Sequence, residues 1–152
     1  MDKQDKQILV QLQRNSATPI GEIAESAGLS QTPCWRRIRK LEDAGIIEKR
    51  VALLAPEALN LKLTAFVSVK AGRHDEAWLK EFAAGIRAIP EIVELYRMSG
   101  DIDYLMKVIV TDMTHFDRVY KRLISIADFS DVTSTFSMEQ IKYTTELPLD
   151  YA

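Results

Sequence analysis

The sequence predicts an α+β protein with an N-terminal winged helix-turn-helix and a C-terminal ferredoxin-like domain of element order βαββαβ. Three observations predict it. Apolar residues recur at helical spacing, with short glycine-containing turns, through residue 45. After residue 62, β-rich runs alternate with two amphipathic helices. Between these parts there is no strong periodicity, so we expect domains at residues 1–54 and 62–152, joined by a linker at 55–61.

The first two helices are predicted from spacing and end signals. Apolar residues three and four positions apart indicate a helix over residues 2–14. Thr18 followed by Pro19 predicts the start of a second, short helix, because threonine caps helices and proline suits the first helical position. Gly28 is expected to end that helix.

The third helix and the segment after it complete the N-terminal part. Ser30 is expected to cap this helix, which should run to Ala44 and end at Gly45. In residues 46–54, two short apolar runs flank a charged trio, which predicts a small hairpin, or wing. Three helices with a tight turn before the third are typical of a helix-turn-helix.

The C-terminal part alternates strands and helices. Its β-rich runs predict strands at residues 63–70, 91–98, 102–111 and 132–144. Asp75 and Asp112 are expected to cap the two helices between them. Both alternating faces of the third strand are largely apolar, whereas two helices cover only one face of a sheet. We therefore expect a second copy of the chain to cover the other face, giving a two-fold dimer.

A helical wheel divides the third helix into a buried and an exposed side. Cys34, Ile38 and Leu41 form one apolar stripe. Arg37 lies nearer this stripe, so we expect it to support the domain through its stem or an ion pair. The opposite side and the wing supply the candidate DNA contacts: Ser30, Thr32, Pro33, Trp35, Arg36, Arg39, Lys40, Lys49 and Arg50.

The residue types on this exposed side suit a DNA major groove. Arginine pairs bidentately with guanine, whereas lysine, serine and threonine hold phosphates. The net charge of −2 does not by itself indicate a nucleic-acid partner, but residues 31–50 hold six basic and three acidic residues. Two alternatives remain: the face is merely solvated, or the protein is an architectural one that coats or bends DNA with little sequence preference.

Cys34 is the only cysteine of the chain. A thiol near a helix start and several cations could be a reactive thiolate. Its position on the apolar stripe favours a buried, inert thiol instead. A single cysteine excludes an intramolecular disulfide, and no apolar run reaches the roughly 18 residues that span a membrane. We expect a cytoplasmic protein with no membrane partner.

No motif in the sequence points to catalysis. His74 and His115 are far apart, each at or near a predicted helix start, and no cysteines stand at metal-ligand spacing. A phosphate-binding loop and a nucleophile motif are both missing from the sequence. We expect both histidines at the surface, no enzymatic activity, no metal and no cofactor.

Three segments carry a resemblance to a known family: GLS at 28–30, RIRKLEDAGII at 37–47 and SGDIDYLMKVIV at 99–110. With them the chain resembles, over essentially its whole length, the Lrp/AsnC family of feast/famine transcription regulators. The resemblance implies a winged helix-turn-helix joined to a ferredoxin-like effector domain, often called RAM. It also implies double-stranded DNA as partner and a homodimer, formed through the sheets, that assembles into octamers or similar rings.

The resemblance further implies an amino acid as effector, bound between RAM domains near the turn at residues 98–104. Asp101 or Asp103 could hold its ammonium group, and backbone donors near Gly100 or hydroxyls its carboxylate. The expected effector residues are Met98, Ser99, Gly100, Asp101, Asp103, Tyr104, Thr133 and Thr135. Without the family match, an ordinary hairpin turn explains these residues at least as well.

Two segments resemble the cysteine-responsive branch of the family, TPCWRRIRKLEDAGI and DVTSTFSMEQIKYTTELP, which makes cysteine a candidate effector. The function that the resemblance implies is that of a sequence-specific transcriptional regulator. Its DNA binding or assembly would change when the effector binds.

Overall fold

The computed structural model describes residues 1–72 and 75–152 and divides into two compact units. Unit 1 comprises Met1–Leu53 and Ile141–Ala152, and unit 2 comprises Leu54–Gln140. The end of the chain therefore groups with the N-terminal helices, whereas we expected it to belong to the C-terminal domain. His74 lies outside the described residues.

Unit 1 is a bundle of three helices. They are α1 (Lys3–Arg14), α2 (Ile20–Ser26) and α3 (Gln31–Asp43). Their apolar positions meet in one core, as the helical spacing predicts. The buried residues of this core are Ile8, Leu9, Ile23, Ala24, Ala27, Cys34, Ile38 and Leu41.

Local signals fix most helix ends of unit 1. Gly28 (φ 64°) and Gly45 (φ 70°) adopt the left-handed conformation that favours glycine after a helix. The prediction for α2 was wrong in one respect: its N-cap is Pro19, not Thr18. The ψ of 141° at Pro19 is extended, so the proline precedes the first helical residue instead of being that residue.

The predicted wing hairpin is not formed. Residues 46–55 contain no strand, and residues 48–54 make no backbone–backbone hydrogen bond with another described residue. The first apolar run is only two residues long. One of them, Ile47, packs against the core of unit 1 and is not available to a strand. Too little of the segment is then left to build a ladder between two strands.

Unit 2 has the predicted order βαββαβ, which confirms the ferredoxin-like fold. Its elements are β1 (Leu63–Ala71), α4 (Glu76–Arg87), β2 (Ile92–Arg97), β3 (Tyr104–Val110), α5 (Met113–Ile124) and β4 (Phe129–Phe136). The strands form an antiparallel sheet in the order β2-β3-β1-β4. The side chains of Asp75 and Asp112 cap α4 and α5, as predicted. In the predicted linker, Glu57–Leu59 forms a short 3-10 helix.

The last strand differs from its prediction at both ends. We expected it at residues 132–144, but β4 is Phe129–Phe136. The reason is its partner: Phe136 is opposite Ala65, and the N–H of Ser137 donates to the carbonyl of Thr64 at 2.9 Å. Because β1 begins at Leu63, no paired backbone is left for the residues that follow.

The helices of unit 2 cover only one of the two faces of the sheet. Met106 and Val108 of β3 are buried on the face that carries the core of unit 2. On the opposite face, Leu105 and Ile109 are half-buried and Phe66 is 40% exposed. The sheet thus presents apolar side chains on a face that α4 and α5 do not cover, which is the feature that the sequence predicted for β3. We call this the open face.

Candidate nucleic-acid interface and effector turn

α3 separates an apolar stripe from a basic surface. Cys34, Ile38 and Leu41 are buried, as the helical wheel predicts. Burial raises the pKa of the Cys34 thiol, because the interior disfavours the charged thiolate. The cysteine therefore packs in the core as an inert thiol.

All nine candidate DNA contacts are exposed. They are Ser30, Thr32, Pro33, Trp35, Arg36, Arg39, Lys40, Lys49 and Arg50. Most are carried by the exposed side of α3, and Lys49 and Arg50 follow in the segment after Gly45. The basic side chains of unit 1 are thus exposed to solvent. Those on α3 point outward because the apolar stripe on the opposite side of the helix is buried in the core.

The basic residues on this surface differ in their partners. Nη2 of Arg50 lies 2.8 Å from Oε1 of Glu42, and Nη1 of Arg39 lies 3.4 Å from Oε2 of the same carboxylate. The Arg39 guanidinium also lies over the Trp35 ring, 5.9 Å from its centroid. Glu42 was not among the sequence-based candidates, although its position three residues after Arg39 was a usable signal.

The remaining cations of the surface, Arg36, Lys40 and Lys49, form no ion pair within the described part of the chain. Their charge is available to an external anion. Arg36 has the fork of donors that suits a base edge, whereas a lysine suits a phosphate.

Arg37 has a structural role, as predicted. Its Nη1 lies 2.6 Å from Oδ2 of Asp2 and 2.7 Å from Oδ1 of Asp5, and its Nη2 donates to Gln4 at 2.8 Å. Asp2 caps α1 and accepts a hydrogen bond from the Asp5 backbone N–H. This hydrogen bond and Arg37 hold the pKa of the Asp2 carboxyl below its usual value. Arg37 thus ties the start of α1 to α3.

The predicted effector turn connects β2 to β3. It is closed by a hydrogen bond from the Met98 N–H to the carbonyl of Asp103, at 2.8 Å. Gly100 has a φ of 112°, a conformation that L side chains rarely adopt. Ser99, Gly100 and Asp101 are exposed, and Met98 is 39% exposed.

Asp103 is engaged with β1. Its Oδ2 accepts a hydrogen bond from the Ala71 N–H at 2.8 Å, and its own N–H donates to the carbonyl of Val69 at 3.0 Å. One carboxylate oxygen therefore already satisfies a backbone donor of the sheet. Sequence spacing could not show this, because the partner strand lies about thirty residues earlier in the chain.

Tyr104 does not join the other predicted effector residues. It is only 8% exposed, and its ring lies 4.9 Å from that of Phe82 and 6.0 Å from that of Trp78. Thr133 and Thr135 are exposed on β4 and lie opposite Ser68 and Phe66 of β1, on the open face. The alternation of the strands places Tyr104 on the helix-covered face instead, so it does not share a face with the two threonines.

His115 is also less exposed than predicted. Its Nε2 lies 3.1 Å from Oε1 of Glu91, its Nδ1 lies 3.2 Å from Oγ1 of Thr111, and 21% of its side chain is exposed. It joins the start of α5 to the residue before β2. Among the described residues, no three His, Cys, Asp or Glu side chains cluster as metal ligands.

Two protein families match separate parts of the chain. A winged helix-turn-helix DNA-binding family matches residues 1–48, and the Lrp/AsnC ligand binding domain matches residues 64–147. The chain belongs to the Lrp/AsnC family. The resemblance seen in the sequence is thus confirmed, and the chain is a DNA-binding transcriptional regulator with a ligand-binding domain.

Relatives match this Lrp/AsnC regulator over nearly its whole length. The DNA-binding transcriptional activator DecR of Escherichia coli K12 is 46% identical over 99% of both chains. The glutamate uptake regulatory protein of Zymomonas mobilis is 43% identical, over 98% of this chain and 91% of its own. These relatives are named as regulators of transcription or uptake.

Solved structures agree with both units. An AsnC family transcriptional regulator from Agrobacterium tumefaciens is 52% identical, with a TM-score of 0.96 over 99% of both chains. A Neisseria meningitidis transcriptional regulator, solved as a complex with L-methionine, is 40% identical. Its TM-score is 0.94, over 99% of this chain and 98% of its own. Within the described residues, no helix of our regulator has the length and apolar character needed to cross a bilayer.

Proposed function

We propose that this Lrp/AsnC regulator recognises specific operator sequences with α3 and the segment after it, and that an amino acid bound by unit 2 modulates the binding. One observation supports this most: the side of α3 opposite Cys34 is exposed and carries Arg36, Arg39 and Lys40. A surface helix with one exposed basic side and one buried apolar side can enter a major groove while its apolar stripe stays in the core.

The proposed roles of the contacts follow from their chemistry and their partners. Arg36 reads a base edge, because it has no competing carboxylate among the described residues. Lys40 and Lys49 neutralise phosphates, and the hydroxyls of Ser30 and Thr32 donate to phosphate oxygens. The remaining contacts are Pro33, Trp35, Arg39 and Arg50.

For the effector we propose a free amino acid held at the turn between β2 and β3. Asp101 is exposed there and offers a carboxylate to the ammonium group. Asp103 keeps the turn attached to β1 through the Ala71 N–H. Backbone donors near Gly100, with Met98 and Ser99 beside them, face the rest of the ligand, and Thr133 and Thr135 lie on the open face.

Two comparisons guide the choice of amino acid. The Neisseria relative is an L-methionine complex, and the sequence resembles the cysteine-responsive branch of the family. Both are sulfur-containing amino acids, so we propose cysteine first and methionine second. We propose no other cofactor and no catalytic activity.

The proposed assembly is a homodimer formed through the open face, with dimers joining into octamers or similar rings. Phe66, Leu105 and Ile109 supply an apolar centre on that face. Burial of such a surface between two copies is favourable because it removes apolar area from water. We propose that the assembly acts in the cytoplasm.

The proposed specificity is tested by affinity ratios. A DNA sequence selected from a random pool is compared with a random duplex at one physiological salt concentration. A specific regulator should bind the selected site about a thousandfold or more tightly. A ratio near one would instead indicate an architectural protein, since phosphate contacts alone supply non-specific affinity.

A further inference from the structure

Glu42 lies in the last turn of α3 and holds two of the basic residues on the candidate DNA surface. Its Oε1 is 2.8 Å from Nη2 of Arg50, and its Oε2 is 3.4 Å from Nη1 of Arg39. The Glu42 side chain is only 27% exposed, whereas those of Arg39 and Arg50 are 59% and 43% exposed. Both carboxylate oxygens are thus used, one by α3 itself and one by the segment after it.

We propose that Glu42 lowers the affinity for arbitrary DNA by competing with phosphates for Arg39 and Arg50. The carboxylate occupies the two guanidinium groups in the free protein, so arbitrary DNA meets a surface whose available cations are Arg36, Lys40 and Lys49. This inference rests on the proposed DNA contacts of unit 1.

The strength of the two pairs suits this role. An exposed ion pair is weak, and losing one changes an equilibrium by about twofold to fivefold. On random DNA, phosphate contacts supply nearly all the affinity, so the cost of breaking the two pairs lowers that affinity directly.

A single substitution, Glu42→Gln, tests the competition. It keeps the shape of the side chain and removes its charge, so Arg39 and Arg50 become available to any phosphate. We expect the affinity for a random duplex to rise about threefold to tenfold. The slope of log K against log salt should steepen by about 0.9 for each additional phosphate that the protein neutralises.

The matched control is Asp43→Asn. Asp43 is the neighbouring residue of α3, is exposed, and makes no ion pair with the described residues, so the variant has the same change of formal charge. It should leave the salt slope of random-DNA binding as in the parent protein. An equal steepening in both variants would overturn the proposal, because it would reflect net charge alone.

A variant that lacks both arginines tests whether the effect of Glu42→Gln depends on the two ion pairs. In a protein with Arg39→Gln and Arg50→Gln, adding Glu42→Gln should not change the affinity for random DNA. A rise of the same size in that background would overturn the competition. So would unchanged or weaker random-DNA binding by Glu42→Gln in the parent protein, since the carboxylate would then orient the arginines for binding. The helical signal in the circular dichroism spectrum checks that each variant is folded.

The parent protein separates this proposal from the proposed function. If the unsubstituted protein shows no preference for a selected operator, the proposed function fails. If it shows the preference and Glu42→Gln leaves random-DNA binding and its salt slope unchanged, only the role of Glu42 fails.

Discussion

Gln13 and Leu147 exchange two hydrogen bonds. Oε1 of Gln13 accepts from the Leu147 N–H at 2.6 Å, and its Nε2 donates to the Leu147 carbonyl at 3.2 Å. Arg14 lies 3.3 Å from Glu146, and Leu149 packs against the core of unit 1. The end of the chain, which follows the last strand of unit 2, is therefore held on α1 by side chains of that helix.

We predict that Gln13→Ala destabilises unit 1. The variant leaves the Leu147 N–H and carbonyl without their partner, which costs about 1 kcal/mol where water replaces it incompletely. Hydrogen exchange of the α1 amides should become faster, while exchange of the β1 amides stays the same. Gln11→Ala is the matched control, because no hydrogen bond of its side chain occurs within the described residues. Equal exchange rates in the two variants would contradict the role of the C-terminal segment.

The Asp2 carboxylate gives unit 1 a pH dependence of known sign. Its pKa in the folded protein lies below the usual value of an aspartate carboxyl, because it accepts the Asp5 N–H hydrogen bond and pairs with Arg37. A lowered pKa means that this contribution to stability is present above about pH 3.8 and is lost as pH falls through the folded pKa. Asp2→Asn keeps a side chain that can cap α1 but removes the negative charge. The variant should therefore be less stable than the parent at pH 7 and equally stable in strong acid.

Urea unfolding of both proteins between pH 7 and pH 2 measures this difference. Arg37→Gln serves as the control background, where the effect of Asp2→Asn should be smaller because the ion pair is already gone. A stability difference that grows as the pH is lowered would contradict the sign.

The two aspartates of the effector turn should respond differently to substitution. Asp103→Ala leaves the Ala71 N–H unpaired and should lower the stability of unit 2 by about 1–3 kcal/mol without any effector. Asp101→Asn should keep the melting temperature of the free protein and lose the stabilisation by the effector. A thermal-shift screen of the twenty amino acids on the parent and both variants measures this. A normal response in Asp101→Asn would place the ammonium site elsewhere.

The open face should carry the dimer contact. Phe66→Glu places a charge among Phe66, Leu105 and Ile109 of two copies and should convert dimers to monomers at micromolar concentration. Leu79→Glu is the control, because Leu79 is similarly exposed, at 38%, but lies on α4 on the other side of the sheet. Sedimentation equilibrium gives the masses. A Phe66→Glu protein that remains dimeric would show that another surface forms the dimer.

The elements that sequence predicted best are those with local signals. Asp75 and Asp112 cap α4 and α5 as expected, because a capping aspartate needs only the N–H three residues later. The end of β4 could not be predicted in this way. It depends on where β1 begins, and nothing in residues 137–144 encodes the position of that partner.

The candidate sites likewise combine features that local sequence predicts with features that depend on distant parts of the chain. The exposure of Arg36 and the burial of Cys34 follow from helical periodicity alone. The pairing of Glu42 with Arg50 requires the path of the chain after Gly45, which we predicted as a hairpin. The bond between Asp103 and Ala71 requires the register of two strands, so a turn motif by itself could not assign the carboxylate.

The central claim is that α3 reads operator bases through Arg36. Its most direct test is the ratio of operator to random-duplex affinity, at fixed physiological salt, for Arg36→Ala beside Arg87→Ala. Arg87 is an exposed arginine of α4, so both variants lose one positive charge. We predict that the ratio falls about tenfold to a hundredfold in Arg36→Ala and stays at the parent value in Arg87→Ala. An unchanged ratio in Arg36→Ala would contradict the assignment of α3 as the helix that reads the operator through Arg36.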